Sequence, residues 1–271
     1  MSIDLINSRG LVMVGCGNMG SALLKGWLKN GIELSSVTVI DPTPSEWLNK
    51  QASAGLILNK MPEQAPAVVV FAVKPYMIVE VIEQWKSDQF HQTVFLSIAA
   101  GANLSSFESM LSVKHPIVRS MPNTPVSVME GAVAYIGNDA AKPYLPVIET
   151  LLSSVGLAVK LEVEAQIDAV TALSGSGPAY LFQMAESMVA AGQKLGLSEE
   201  LALALAKQTI LGAGKLMAQS EDSPEQLRIA VTSPKGTTHA ALQILKDEST
   251  GLDPLLLKAM EAARDRSIEL G

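Results

Sequence analysis

Through its first half the chain alternates short apolar runs, rich in β-branched residues, with stretches of helical periodicity. Leu11-Val12-Met13-Val14, Val37-Thr38-Val39-Ile40, Ala67-Val68-Val69-Val70-Phe71-Ala72-Val73, Thr93-Val94-Phe95-Leu96-Ser97-Ile98 and Pro116-Ile117-Val118-Arg119 carry almost no charge. Parallel strands covered on both faces have that pattern. Gly131-Ala132-Val133-Ala134-Tyr135 and a run from Gly156 to Leu161 supply the last strands, with a helix from about Asp139 to Ser153 between them. Helical patterns follow the first strand and cover about Ser45 to Ala54. Strand and helix in alternation predict an α/β fold with a doubly wound sheet, over residues 1–163.

From Glu164 onward the strand patterns stop, and residues 164–271 read as an all-helical domain. Ser174-Gly175-Ser176-Gly177-Pro178 introduces a long helix that Gly196 ends, with proline suited to the first turn and glycine to the stop. Ser198 before Glu199 and Glu200 starts the next, and Ser223-Pro224-Glu225-Gln226 has the form of a capping box. The helix over residues 201–218 has no polar face, since Leu201, Ala202, Leu203, Ala204, Leu205, Ala206, Ile210 and Leu211 surround it. Such a helix must be covered on all sides. About a hundred residues cannot cover it alone, which predicts a homo-oligomer formed through the C-terminal helices.

Between the first strand and the first long helix lies Gly15-Cys16-Gly17-Asn18-Met19-Gly20, a G-x-G-x-x-G run. The first glycine permits a tight turn, the second lets backbone approach a pyrophosphate, and the third lets helix pack on strand. The second strand ends in Asp41, 21 residues beyond Gly20 (41 − 20), where a carboxylate can accept from a ribose 2′-hydroxyl. The same Asp also fits a turn role before Pro42. Together these mark a Rossmann-like dinucleotide site, and Asp41 favours NADH over NADPH. Lys74-Pro75 closes the third apolar run, where strand ends face the ligand crevice. Ala99-Ala100-Gly101-Ala102 would let a nicotinamide approach backbone, and Ser120-Met121-Pro122-Asn123-Thr124-Pro125 forms a stiff polar loop.

Of the 271 residues 48% are hydrophobic, enough for a substantial core, and the net charge is −7. No Lys/Arg cluster occurs, so a nucleic-acid or anionic-membrane partner is not expected. The single cysteine, Cys16, excludes an intrachain disulfide and a multi-cysteine metal site, and reads as a small filler in the glycine turn. Neither a targeting segment nor a membrane span is apparent, and a cytoplasmic protein is the expectation.

In the helical half, Val231-Thr232-Ser233-Pro234-Lys235-Gly236-Thr237-Thr238-His239-Ala240-Ala241-Leu242 is a polar, turn-rich run that opens a helix. Its free N–H groups suit a substrate carboxylate, and a plain helix cap is the competing role. Taken in order and spacing, the glycine run, Phe71-Ala72-Val73-Lys74-Pro75, Arg119 to Pro125, Leu173-Ser174-Gly175-Ser176-Gly177-Pro178-Ala179-Tyr180 and Val231 to Leu242 resemble the pyrroline-5-carboxylate reductase family over nearly the full chain. The resemblance implies reduction of 1-pyrroline-5-carboxylate to L-proline, the last step of proline biosynthesis, by hydride from NADPH or NADH. It implies that Thr238 hydrogen-bonds the ring nitrogen and that Ser233, Gly236 and Thr237 hold the carboxylate, with Ser176 beside the substrate. It places the cofactor on Gly15, Gly17, Asn18, Met19 and Gly20 and on Ala72, Val73, Lys74 and Pro75, to which the spacing argument adds Asp41. Dimers with intertwined C-terminal helices, often assembled into decamers, are also implied.

The chain departs from the family pattern twice, with Lys235 where a glycine is usual and Gly20 where alanine is usual. If position 235 needs positive φ, the lysine is strained; if not, its ammonium adds attraction for a carboxylate. A protonated cyclic imine is already electrophilic, so positioning matters more than a general base. His239, His91 and His115 therefore need no catalytic role. Two other functions share the plan: a 3-hydroxyacid-type dehydrogenase, which needs a crevice base that Lys194, Lys207 and Lys215 are poorly placed to provide, and a non-catalytic nucleotide-sensing relative.

Overall fold

The computed structural model describes residues 3–99, 101–111 and 115–270. The chain forms two compact units, residues 1–175 with 263–271, and residues 176–262.

In the first unit, α1 (Ile3–Arg9) precedes β1 (Leu11–Val14), α2 (Asn18–Lys29), β2 (Val37–Ile40), α3 (Glu46–Ser53), β3 (Ile57–Leu58) and β4 (Val68–Phe71). Then come α4 (Ile78–Ile82), β5 (Val94–Ser97), α5 (Leu104–Met110), β6 (Ile117–Met121), β7 (Gly131–Gly137), α6 (Leu145–Ser153), β8 (Gly156–Lys160) and α7 (Gln166–Val170). The strands form one sheet in the order β3-β2-β1-β4-β5-β6-β7-β8. The first six are parallel, β7 runs antiparallel to β6, and β8 is parallel to β7. Strand order reverses at β1, flanked by β2 and β4, and ligands of doubly wound sheets bind beyond the strand C-termini at such a switch point.

Each central strand sends alternate residues to opposite cores. Leu11 and Met13, Val68 and Val70, and Val94 and Leu96 pack with Leu23, Leu24 and Trp27 of α2 and with α6. Val12 and Val14, Val69 and Phe71, and Phe95 meet Ile78 and Ile82 of α4, Trp85, Phe90 and Phe107 of α5. Burial on both faces explains why these runs lack polar alternation. The second core is largely aromatic, with Phe71 5.8 Å from Phe95 and 5.7 Å from Phe107, ring centre to ring centre.

His115 meets Phe95 edge-on at 4.9 Å and is fully buried. Its Nδ1 lies 3.1 Å from the carbonyl of Phe90, while Nε2 has no partner. Burial holds its pKa below the ordinary value, so between the folded and unfolded values the unfolded chain binds the extra proton. Stability is therefore lost as pH falls below about 6.5, at up to roughly 1.4 kcal/mol per pH unit. His115→Gln is expected to narrow the difference in Tm between pH 7.5 and pH 5.5, which thermal denaturation at both pH values would measure.

A turn of π-helix, Thr171–Gly175, follows α7. The second unit holds α8 (Gly177–Lys194), α9 (Glu199–Gln219), α10 (Pro224–Ala230) and α11 (Thr237–Leu245), and α12 (Leu252–Glu269) ends in the first. Ser198 caps α9 by accepting from Leu201 N–H. The capping box at α10 is complete, with Gln226 N–H donating to Ser223 Oγ (3.2 Å) and Ser223 N–H to Gln226 Oε1 (2.7 Å). α8 and α9 pack where a methyl on Gly192 would come within 3.1 Å of Ala202 Cβ. Ala202 and Ala206 are buried there, but Leu201, Leu203, Leu205 and Leu211 are each about half exposed.

Candidate functional site

The glycine run occupies the turn between β1 and α2, and its three glycines do three different things. Gly15 has φ +83°, and a Cβ there would lie 2.7 Å from Val73 Cγ1 and 2.9 Å from the carbonyl oxygen of Ala72. A Cβ on Gly20 would meet Gly15 O at 3.1 Å, with Ala72 Cβ and Met13 Sδ each at 3.2 Å. Gly17, by contrast, has open space around its Cβ position. It is also the N-cap of α2, without a side-chain cap. The first-turn N–H groups of a helix lack intrahelical partners and favour an anion. Gly17 and Asn18 are exposed, and Met19 is half-buried. These features fit a pyrophosphate seated on the helix end, with Ala72 and Val73 buttressing the turn from below.

Cys16 is buried in that turn. Burial, reinforced by Asp41, pushes its pKa up to about 12, so it stays a neutral thiol and is no nucleophile. Gly15 N–H donates to Ile40 O (2.8 Å) and Cys16 N–H to Asp41 Oδ2 (2.7 Å). The other Asp41 oxygen accepts from Thr43 N–H at 2.8 Å. Asn59 Oδ1 accepts Asp41 N–H at 2.8 Å, with Asn59 itself at φ +55°. Asn59 was not singled out from the sequence, although Asn tolerates that conformation better than most residues.

At the end of β4, Ala72 N–H donates to Val14 O (2.8 Å), and exposed Lys74 precedes the short 3₁₀ turn Pro75–Met77. Beyond β5, Ala99 is buried and Gly101 has φ +83°; Ala100 lies outside the described residues. Glu164 Oε1 accepts from Leu104 N–H (2.8 Å) and from Arg119 Nη1 (2.9 Å). The polar loop after β6 is structural at Asn123, whose amide donates to Ser174 O (3.0 Å) and accepts from Ala132 N–H (2.8 Å). That pair pins the π-turn to β7.

In the second unit, Ser176 stands at the N-cap of α8. The loop before α11 turns tightly, with Gly236 N–H donating to Ser233 O at 3.0 Å. A side chain at Gly236 would strike Ser233 Oγ. Gly236 caps α11 without a side-chain hydrogen bond, so the first-turn N–H groups near Thr237 and Thr238 are available to a carboxylate. Thr238 is half-buried, and Ser233 and Thr237 are exposed.

Lys235 has φ +59°, so position 235 does need the left-handed region, where a lysine is strained. Lys235→Gly is expected to raise the unfolding free energy by about 1 kcal/mol and Tm by roughly 2–4 °C. Thermal denaturation checks this, and an unchanged Tm would mean that the strain is absent.

Two family models match the chain: NADP oxidoreductase coenzyme F420-dependent over residues 10–101, and pyrroline-5-carboxylate reductase dimerisation over residues 164–270. The chain is 38% identical to pyrroline-5-carboxylate reductase of Pseudomonas aeruginosa, across 96% of each protein. It is also 38% identical to pyrroline-5-carboxylate reductase 2 of Rattus norvegicus, across 95% of this chain and 82% of that protein. Among solved structures, a pyrroline-5-carboxylate reductase from Coxiella burnetii matches with a TM-score of 0.89 at 34% identity, covering 98% of this chain and 99% of that one. The Plasmodium falciparum pyrroline carboxylate reductase with NADP bound matches at 0.81 and 30% identity, with the same coverage. With that identity held over nearly its whole length, and with the glycine turn and the α11 loop in place, the chain belongs to the pyrroline-5-carboxylate reductase family.

Proposed function

We propose that this protein reduces 1-pyrroline-5-carboxylate to L-proline, the closing step of proline biosynthesis, with NADPH or NADH as hydride source. The observation that carries the reading is 38% identity to the Pseudomonas aeruginosa reductase along 96% of both chains. By task, residues 1–163 serve the cofactor and 164–271 the substrate and the oligomer, although the compact units divide later, at residue 175, and residues 263–271 return to the first unit. The cofactor lies along Gly15, Gly17, Asn18, Met19 and Gly20, steadied by Asp41, and along Ala72, Val73, Lys74 and Pro75.

A nicotinamide held there would supply the hydride that the imine carbon takes up, with C=N becoming C–N and the protonated nitrogen ending as an amine. The protein's own task is to hold the ring. Backbone around Ser233, Gly236 and Thr237 binds the carboxylate at the positive end of α11, with the Gly236 N–H closing the turn on Ser233 O and not itself reaching the ligand. Thr238 Oγ accepts from the protonated ring nitrogen, and Ser176 lines the substrate. Because the iminium is already electrophilic, orientation contributes most of the acceleration.

The half-exposed leucines of α9 support a homo-oligomer through the C-terminal helices, and the family likeness extends that dimer to a decamer. By length and composition α9 could cross a bilayer, and only 11% of its apolar window is buried within the chain. The matching dimerisation model supports a second copy as its cover, in a cytoplasmic enzyme with no nucleic-acid partner. With NADPH or NADH deuterated at C4 on the transferred face, the product proline is expected to carry one deuterium at Cδ by mass spectrometry. Unlabelled proline, or none, would defeat the reading.

A further inference from the structure

Resting on that reading, we infer that Asp41 serves the cofactor as a latch for the glycine turn and does not choose between NADH and NADPH through the ribose. The side chain is nine-tenths buried, at 8% exposure. One oxygen takes the N–H of Cys16, inside the turn, at 2.7 Å, and the other takes the N–H of Thr43 at 2.8 Å, with the Thr43 hydroxyl at 3.4 Å. Its own N–H is held by Asn59 Oδ1. Carboxylate oxygens that accept backbone N–H groups are strong, oriented partners, and here they join the end of β2 to the start of the turn.

The neighbouring N–H, that of Gly15, is tied to Ile40 O. The end of β2 therefore consumes the first two N–H groups of the turn, at residues 15 and 16. Those of residues 17 to 19 are left at the helix end, where Gly17 and Asn18 are exposed. The latch thus decides which N–H groups face the pyrophosphate, a part that NADH and NADPH share. A group acting on the shared part shifts both affinities equally, and one acting on the ribose shifts their ratio.

Asp41→Asn keeps one accepting oxygen and loses the other. Fluorescence titration with NADH and with NADPH is expected to show both Kd values raised by about tenfold, with their ratio unchanged within twofold. In steady state the cofactor KM should rise while kcat stays within twofold. A shift of fivefold or more toward NADPH, or unchanged affinity for both, would overturn the inference. Should the variant fail to fold, the unaltered protein decides: 2′-deoxy-NADH is expected to bind within twofold of NADH, and a tenfold loss would contradict the latch. If the unaltered protein binds neither NADH nor NADPH, it is the proposed function that fails.

Discussion

Gly15→Ala is expected to unfold the protein at a lower temperature and to weaken cofactor binding, whereas Gly17→Ala is expected to weaken binding alone. At Gly15 the backbone is in the left-handed region, and an added methyl has Val73 and the Ala72 carbonyl within 2.9 Å. The carbonyl belongs to backbone held by the hydrogen bond from Ala72 to Val14, so it cannot yield cheaply. Conformational strain of about 1–3 kcal/mol adds to overpacking of about 1–3 kcal/mol. A loss near 3 kcal/mol corresponds to roughly 6–12 °C in Tm for a chain of this size. Gly17 has φ −69° and open space about its Cβ position. Alanine there is expected to leave Tm within about 1 °C and to raise the Kd for NADPH and NADH by tenfold or more, by filling the place where pyrophosphate approaches. Equal Tm losses in the two variants would refute this division of labour.

Thr238→Ala is expected to lower kcat/KM by about ten- to a hundredfold while leaving Tm and cofactor affinity nearly unchanged. The side chain is only half-buried, so its removal opens no large core cavity. A hydrogen bond to a charged partner contributes roughly 1.5–3 kcal/mol, and tenfold in kcat/KM corresponds to about 1.4 kcal/mol. Thr238→Ser retains the hydroxyl and should recover most of the activity. The neighbouring residues separate role from place. Thr237 and His239 stand about 100° away around the helix, and His239→Ala is expected to keep kcat/KM within about threefold. Equal losses at Thr238 and His239 would point to damage of the loop as a whole. Steady-state kinetics on the three variants, with circular dichroism to confirm folding, reads both outcomes.

The sheet was legible because its central strands are buried on both faces and so write themselves as unbroken runs of Val, Ile, Leu and Phe. Strand direction left no such trace. The run from Gly131 is uncharged and largely apolar like the parallel strands before it, yet β7 pairs antiparallel to β6. A two-residue strand such as Ile57–Leu58 and the seven-residue α1 are too short to impose a period. Two caps, at Ser198 and Ser223, were legible because the bond is local, whereas the equally local caps at Asn103 and Asn138 stand directly before no periodic apolar run that would mark a helix start. The π-turn over Thr171–Gly175 was not, because it depends on Asn123, 51 residues away, holding the Ser174 carbonyl.

The candidate site divides the same way. The spacing of the glycines gave the turn, the helix end and the acidic residue after β2. It could not give what the Asp41 carboxylate touches, since the bond to Cys16 spans 25 residues. At Lys235 the residues allowed either strain or an ordinary backbone, and only φ decided it. Ser176, Ser233, Gly236, Thr237 and Thr238 belong to helix starts that sequence located correctly, whereas their shared task rests on the family likeness.

The measurement that bears most directly on the whole account is absorbance at 340 nm in a mixture of purified protein, 1-pyrroline-5-carboxylate and, in separate cuvettes, NADPH or NADH. Steady loss of absorbance is expected with at least one cofactor, dependent on the imine and matched by proline formed. Folded protein that binds the cofactor and yet leaves absorbance constant in both cuvettes would contradict it.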